Sequence, residues 1–360
     1  MKKSLLITVF ISCTSFSLPS HAYKHSIFLE NSHVLSKVFL DNFKSTKNNS
    51  TLIANNLNLG GSGGSGSSEG SGSSGGSGSS GGQNLKNSNL NNENLKKANL
   101  KNADLSGSKL KQADLRQADL GGAKLKKADL TKAKLKKANL KSANLKDAKL
   151  IRADLTDAEL NNAELENANL RNSKLKKAKL NDTNLKRANL TSAKLEKADL
   201  SNASLKKAKL RRADLAKANL TNTELKRANL SSANLEEANL YKASLINAKL
   251  RKADFTRAYL KNANLKKANL HSAVLSGANL RNTNFFRADL TRANLSNADL
   301  TGSNLSNSDL SYANLKNANL SKANLSGANL YGLSGTKLAS CPNLLPEEWQ
   351  CNSEKYLLKL

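Results

Sequence analysis

Leucine occupies every position divisible by five from Leu85 to Leu330, a run of 50 consecutive pentapeptides interrupted only by Phe255 and Phe285. Two residues earlier, 48 of the 50 units carry Ala, Ser or Thr, and the exceptions, Gln83 and Glu93, both lie at the start. The residue between is most often Asn or Asp, as in Ala98-Asn99-Leu100 and Ala103-Asp104-Leu105, so the unit is A-[DN]-L-x-x. A period of five is incompatible with both ordinary elements. On an α-helix, five residues advance about 500°, so successive leucines fall roughly 140° apart and never form a stripe. On a strand, an odd period throws them onto opposite faces. A chain that turns a corner after every five residues points each leucine at a common axis, and four such sides close a coil of about 20 residues.

Over about two-thirds of the chain, these residues resemble the pentapeptide-repeat family. The resemblance implies an all-β fold, a right-handed quadrilateral β-helix, here over residues 83–332. Fifty units make about twelve coils, a stack about 60 Å long at the usual inter-strand spacing of roughly 4.8 Å. The small residue beside each leucine fits the crowded coil interior. Asn and Asp fit the adjoining turn, because they tolerate unusual backbone angles and bond locally to the main chain. No proline lies between Gln83 and Leu330, which keeps every backbone donor available for stacking. Each coil touches only its neighbours, so stability arises from many similar interfaces. The unbroken register argues against a coiled coil or a disordered low-complexity tract.

The ends read differently. Residues 1–22 have the form of a secretory signal peptide, with Lys2 and Lys3, an apolar stretch from Leu5 to Ile11, and Ser20-His21-Ala22 as the cleavage site. Cleavage at Cys13 as a lipoprotein is the alternative. The apolar stretch is too short to span a bilayer, so no transmembrane segment is expected in the mature chain, and the location is secreted or periplasmic. In residues 23–59, Val34, Leu35, Val38, Phe39 and Phe43 recur at helical spacing after Asn31 or Ser32 as N-cap. Such a helix would bind a membrane surface or a partner, dock on its own solenoid, or remain marginal. Residues 60–82 are Gly and Ser broken only by Glu69, a flexible linker and not a phosphate-binding loop. Residues 333–360 leave the register and form a C-terminal cap, because an open solenoid end exposes leucines and unpaired backbone. Trp349, Leu344 and Leu345 are the expected plug. In an oxidising compartment Cys341 and Cys351 read as a disulfide, with a metal or redox pair as the alternative.

Charge points toward partners. The chain carries 57 Lys and Arg against 28 Asp and Glu, and residues 83–330 hold 48 of the former and 22 of the latter. Within that tract the net charge is +24 over residues 83–270 and +2 over residues 271–330. Sorted on a 20-residue coil, the sides centred on Leu125, Leu130 and Leu135 are basic and the side centred on Leu120 is close to neutral. The candidate polyanion-binding residues are Lys124, Lys126, Lys127, Lys206, Lys207, Arg211, Arg212, Lys266 and Lys267. Acidic glycan, lipopolysaccharide, an anionic membrane surface or nucleic acid are the partners such a surface suits. Nucleic acid has the least support, since aromatic residues for base stacking are sparse. A second reading makes the lysines a solvating coat.

The resemblance also implies, for its best-known members, a DNA-shaped rod that occupies type II topoisomerases. That mimicry needs an acidic surface in the cytoplasm, and this chain has the opposite charge and an export signal. His21, His25, His33 and His271 have no metal-ligand spacing, and no nucleophile elbow is present. No enzyme activity and no cofactor are expected. The function expected is an exported, non-enzymatic binding scaffold. The alternative is a structural spacer or secreted effector making protein contacts through its ends and N-terminal segment.

Overall fold

The computed structural model describes residues 82–360. The expected signal peptide, N-terminal segment and nearly all of the linker lie outside the described residues. From Asn84 onward, the residue before each leucine is bridged in parallel to the residue 20 positions later, as in Asp104 to Lys124 and Lys124 to Asn144. This period continues without insertion to the bridge between Asp309 and Asn329. Four pentapeptide sides therefore close each coil, and residues 20 apart stack in columns.

The pentapeptide is set by where its five amides find acceptors. Around Leu145, the Leu145 N–H donates to the Glu164 carbonyl of the next coil at 2.7 Å, and the Asp147 N–H donates to Glu166 at 3.0 Å. The Asn144 N–H reaches back to the Ala123 carbonyl at 2.9 Å. The Ala148 N–H closes the corner onto the Leu145 carbonyl at 3.0 Å. Only the amide directly after the leucine has no backbone acceptor. Asn144 supplies one, its Oδ1 accepting from the Lys146 N–H at 3.1 Å. The same bond joins Asp104 to Ser106 at 3.0 Å and Asn99 to Lys101 at 3.2 Å. Asn and Asp precede leucine because they complete this set of hydrogen bonds.

Their expected tolerance of unusual backbone angles is not used there. The left-handed conformation falls three residues later, on the second corner residue, where Lys127 has φ 59°, Asp147 59° and Glu237 55°. A turn closed between its first and fourth residues with positive φ at its third has the requirement of type II, which favours Gly or Asn. Gly122 is such a residue, and a Cβ there would lie 2.3 Å from Asn102 Oδ1 in the coil below.

Inside, the leucines from Leu95 to Leu325 are at most 1% exposed, and Phe255 and Phe285 are fully buried among them. Serine and threonine are admissible beside leucine because most of their hydroxyls find a carbonyl, the buried Ser303 hydroxyl being an exception. Ser108 Oγ donates to Leu105 at 2.7 Å and Thr183 Oγ1 to Leu180 at 2.6 Å.

After Leu330 the chain forms β1 (Thr336–Lys337), β2 (Trp349–Cys351) and β3 (Tyr356–Lys359), an antiparallel sheet with β3 in the middle. The solenoid ladder runs on beneath it, through bridges from Asn319 to Ser340 and Asn324 to Leu344. The plug differs from the expected one. Leu333, Leu338 and Leu357 are buried, Trp349 and Leu345 only partly, and Leu344 is 52% exposed. Leu344 takes the place of the Asn that precedes leucine in a repeat, an outward position, and its carbonyl accepts from the Leu325 N–H at 2.9 Å. Leu357, on β3, fills the end instead. Cys341 and Cys351 stand at disulfide distance in the cap, their Cα atoms 6.0 Å apart.

Two substitutions test this packing. Ala138→Leu overfills the interior and is expected to cost about 1–3 kcal/mol. Asn144→Ala leaves the Lys146 amide to water and should cost about 0.5–1.5 kcal/mol. Urea denaturation of both variants checks the order and the size.

Candidate anion-binding face

Three of the five repeat positions face outward: the residue before leucine and the two corner residues after it. Each column of these positions repeats at the strand spacing of about 4.8 Å, so stacked cations repel unless an acid separates them. Over much of the solenoid acids do so. Glu159 accepts from Lys141 at 2.6 Å and from Lys179 at 2.8 Å. Lys146 pairs with Glu166 at 2.9 Å and Lys176 with Glu196 at 2.8 Å. Arg257 reaches both Glu236 and Glu237, at 2.5 and 2.8 Å. Hydrogen bonds from Lys141 and Lys179 hold the Glu159 carboxyl below its ordinary pKa, and the Lys146 ammonium does the same to Glu166.

The nine expected site residues do not form one cluster. Lys126, Lys206 and Lys266 share one column and Lys127, Lys207 and Lys267 the next, while Arg211 and Arg212 occupy the following corner. Lys124, Lys126 and Lys127 lie four coils from Lys206, and Asp147 and Glu166 stand in the same two columns between them. Lys124 takes a position where Asn or Asp would cap the turn, and its side chain is exposed instead. Of the nine, only Lys206 is ion-paired among the described residues, to Glu224 at 2.8 Å. The Lys266 ammonium lies 5.2 Å from the Phe286 ring centroid.

The stacking brings together a set that reading by doublets left incomplete. The side centred on Leu190, Leu210, Leu230, Leu250 and Leu270, with the corners on both edges, comprises residues 185–192, 205–212, 225–232, 245–252 and 265–272. These segments contain 14 Lys and Arg and no Asp or Glu. Lys186, Arg187, Lys226 and Arg227 complete one edge, and Arg251 and Lys252 extend the other beyond Arg212. Lys209 and Lys249 lie between the edges. All but Lys206 are exposed. The signal for the added residues was their spacing of 20, which the sums over whole sides did not resolve into an acid-free stretch of five coils. The opposite side of the same coils is mixed, with Glu196, Asp199, Glu236 and Glu237 among its cations.

Elsewhere, the C-terminal end carries a cleft of 770 Å³ lined by residues that include Tyr312, Tyr331, Pro346 and Trp349. Tyr312 and Tyr331 meet edge to face, their centroids 5.2 Å apart. Among the described residues no group of three or more His, Cys, Asp or Glu is arranged to hold a metal ion, and no helix is long and apolar enough to cross a membrane.

The family model described as pentapeptide repeats (8 copies) matches residues 84–117, 208–245, 223–262, 238–277, 263–302 and 298–332. That described as pentapeptide repeat region matches residues 123–203 and 143–220. The chain belongs to the pentapeptide-repeat family. With that membership the fold is a right-handed β-helix solenoid. No curated protein matches the sequence. Among solved structures, the chain is similar to HetL, a pentapeptide repeat protein involved in heterocyst differentiation regulation from the cyanobacterium Nostoc. The identity is 35%, over 64% of this chain and 89% of that one, with a TM-score of 0.32. A pentapeptide repeat protein from the Arabidopsis thaliana thylakoid lumen is 32% identical over 29% of this chain and 67% of its own, with a TM-score of 0.20. QnrB1, a plasmid-mediated fluoroquinolone resistance protein, is 20% identical over 55% and 86%, with a TM-score of 0.33.

The ion pairs of this pentapeptide-repeat protein make its acid stability testable. The folded pKa of Glu159 lies below its ordinary value of 4.5, so its contribution is fully present above that pH and is lost as pH falls through the depressed value. Glu159→Gln removes the contribution at neutral pH. Thermal melts across the acid range should show the variant and the parent converging as pH falls, because the parent loses what the variant already lacks.

Proposed function

We propose that this pentapeptide-repeat protein is an exported, non-enzymatic scaffold of about twelve coils that binds polyanions through its basic sides. The observation that carries this reading is the acid-free side of five coils, where 14 cations are stacked and, among the described residues, only Lys206 is ion-paired. Two like charges about 5 Å apart repel by about 0.8 kcal/mol even at the dielectric of water. Physiological salt, with a Debye length of about 8 Å, screens this only in part. A solubility coat needs no such arrangement, because mixed signs keep a surface soluble at less cost. The rest of the solenoid uses mixed signs. A bound polyanion offsets the repulsion that this side retains. Acidic glycan, lipopolysaccharide, an anionic membrane surface and nucleic acid all have the required charge.

A second reading is favoured by one feature. Tyr312 and Tyr331 are 55% and 62% exposed beside the C-terminal cleft, which suits a protein contact made through the end of the solenoid. In that case the chain is a spacer or effector and its lysines are a coat.

Salt separates the two. Titrating the protein with a sulfated glycan, duplex DNA and anionic vesicles should give binding at low salt that weakens steeply at physiological salt, together with a raised melting temperature. If no polyanion binds at low salt, the cations only solvate the solenoid.

A further inference from the structure

Resting on that reading, we infer that the side centred on Leu190 to Leu270 is a flat docking face for an anionic phospholipid headgroup layer, with the solenoid lying side-on. The face is two-dimensional. Arg187, Lys207, Arg227 and Lys267 stand in one column along one edge, and Arg212 and Lys252 stand in another along the opposite edge. A linear polymer is matched by one track of cations, whereas an array with both edges charged is matched by a sheet of anions.

Among the described residues nothing rises from the face to form a groove. The 20-residue bridge period is unbroken through these coils, so no insertion makes a wall. The outward residues between the cations are mostly short and polar, such as Asn189, Asn229 and Ser231. The five segments contain no Phe, Tyr or Trp, and the nearest such ring, Phe286 one coil beyond, lies against the Lys266 ammonium, so the face offers no continuous platform for stacked bases. Binding would be peripheral and electrostatic, acting within about a Debye length of the headgroups. The acid-free side sets the orientation, because on the opposite side cations such as Arg257 are already matched by Glu236 and Glu237.

The test uses the full chain and vesicles of equimolar phosphatidylglycerol and phosphatidylcholine, with pure phosphatidylcholine for comparison, in a sedimentation assay at low and physiological salt. One variant combines Arg187→Glu, Lys207→Glu, Arg227→Glu and Lys267→Glu. Glutamate is compatible with this corner, since Glu237 occupies the same repeat position at φ 55°. A control combines Lys97→Glu, Lys137→Glu, Lys177→Glu and Lys242→Glu, an equal charge change on the corners of the opposite side. Circular dichroism and melting temperature establish that both fold.

The expected result is binding to the anionic vesicles only, reduced about tenfold or more by the first variant and less than about twofold by the control. Equal losses in both variants would overturn the inference, since net charge alone would then govern. It is also overturned if vesicles fail to bind while a sulfated glycan or DNA binds and the first variant abolishes that binding. The partner would then be a linear polyanion, and the broader reading would stand. If no polyanion binds at low salt, both readings fall.

Discussion

The parallel hydrogen-bond ladder between residues 20 apart is the constraint from which the rest of this molecule follows. It is satisfied only if each side of the coil has five residues, since a longer or shorter side would put a leucine out of line with the axis. Four of the five amides in a unit then find backbone carbonyls, and the fifth finds the Asn or Asp side chain two residues earlier. The small residue, the amide-capping residue and the leucine each answer one requirement of that ladder. The two corner residues answer none beyond backbone conformation, and they carry most of the charge.

Because the ladder is regular, it turns sequence spacing into a surface pattern. A residue and its counterpart 20 positions later lie about one strand spacing apart, whatever their types. Along many columns an acid stands between bases and forms pairs such as Lys179 with Glu159 and Lys176 with Glu196. Exposed pairs of this kind add little stability individually. Their larger effect is to remove like-charge contacts. On the side centred on Leu190 to Leu270 that device is missing, and many leucine-filled interfaces hold the cations together against their repulsion. The conflict between local electrostatics and the fold is confined to one side, as is common where a surface serves a function.

The coil and its inward residues were legible in the sequence because both follow from one period. Leu125 and Ala138 needed no structure to be placed inside. The corner conformation was less legible. Asn and Asp are the residues that usually adopt positive φ, which pointed to the position before leucine, yet the backbone puts that conformation on the second corner residue, on Lys127 and Arg187 as well as on Asn102 and Asn162. The cap failed in part for a similar reason. Leu344 looked like a plug by its hydrophobicity, but it continues an outward column of the ladder, and the buried Leu357 comes from a strand outside any repeat. The basic side was half legible. Doublets such as Lys206-Lys207 and Arg211-Arg212 stood out. What the doublets do not show is the absence of acids across five coils, because the segments concerned are separated by mixed ones in the chain.

The central claim is that in-register coils of 20 residues assemble this surface, and a set of distances tests it most directly. Spin labels placed through Arg187→Cys with Arg227→Cys, and through Arg187→Cys with Lys267→Cys, in a chain carrying Cys13→Ser, span two and four coils of one column. Electron–electron double resonance should give separations that grow by about 10 Å from the first pair to the second, two strand spacings of roughly 4.8 Å each. Equal distances in the two pairs, or a step far from that value, would mean that these residues do not share a column, and the acid-free face would not exist.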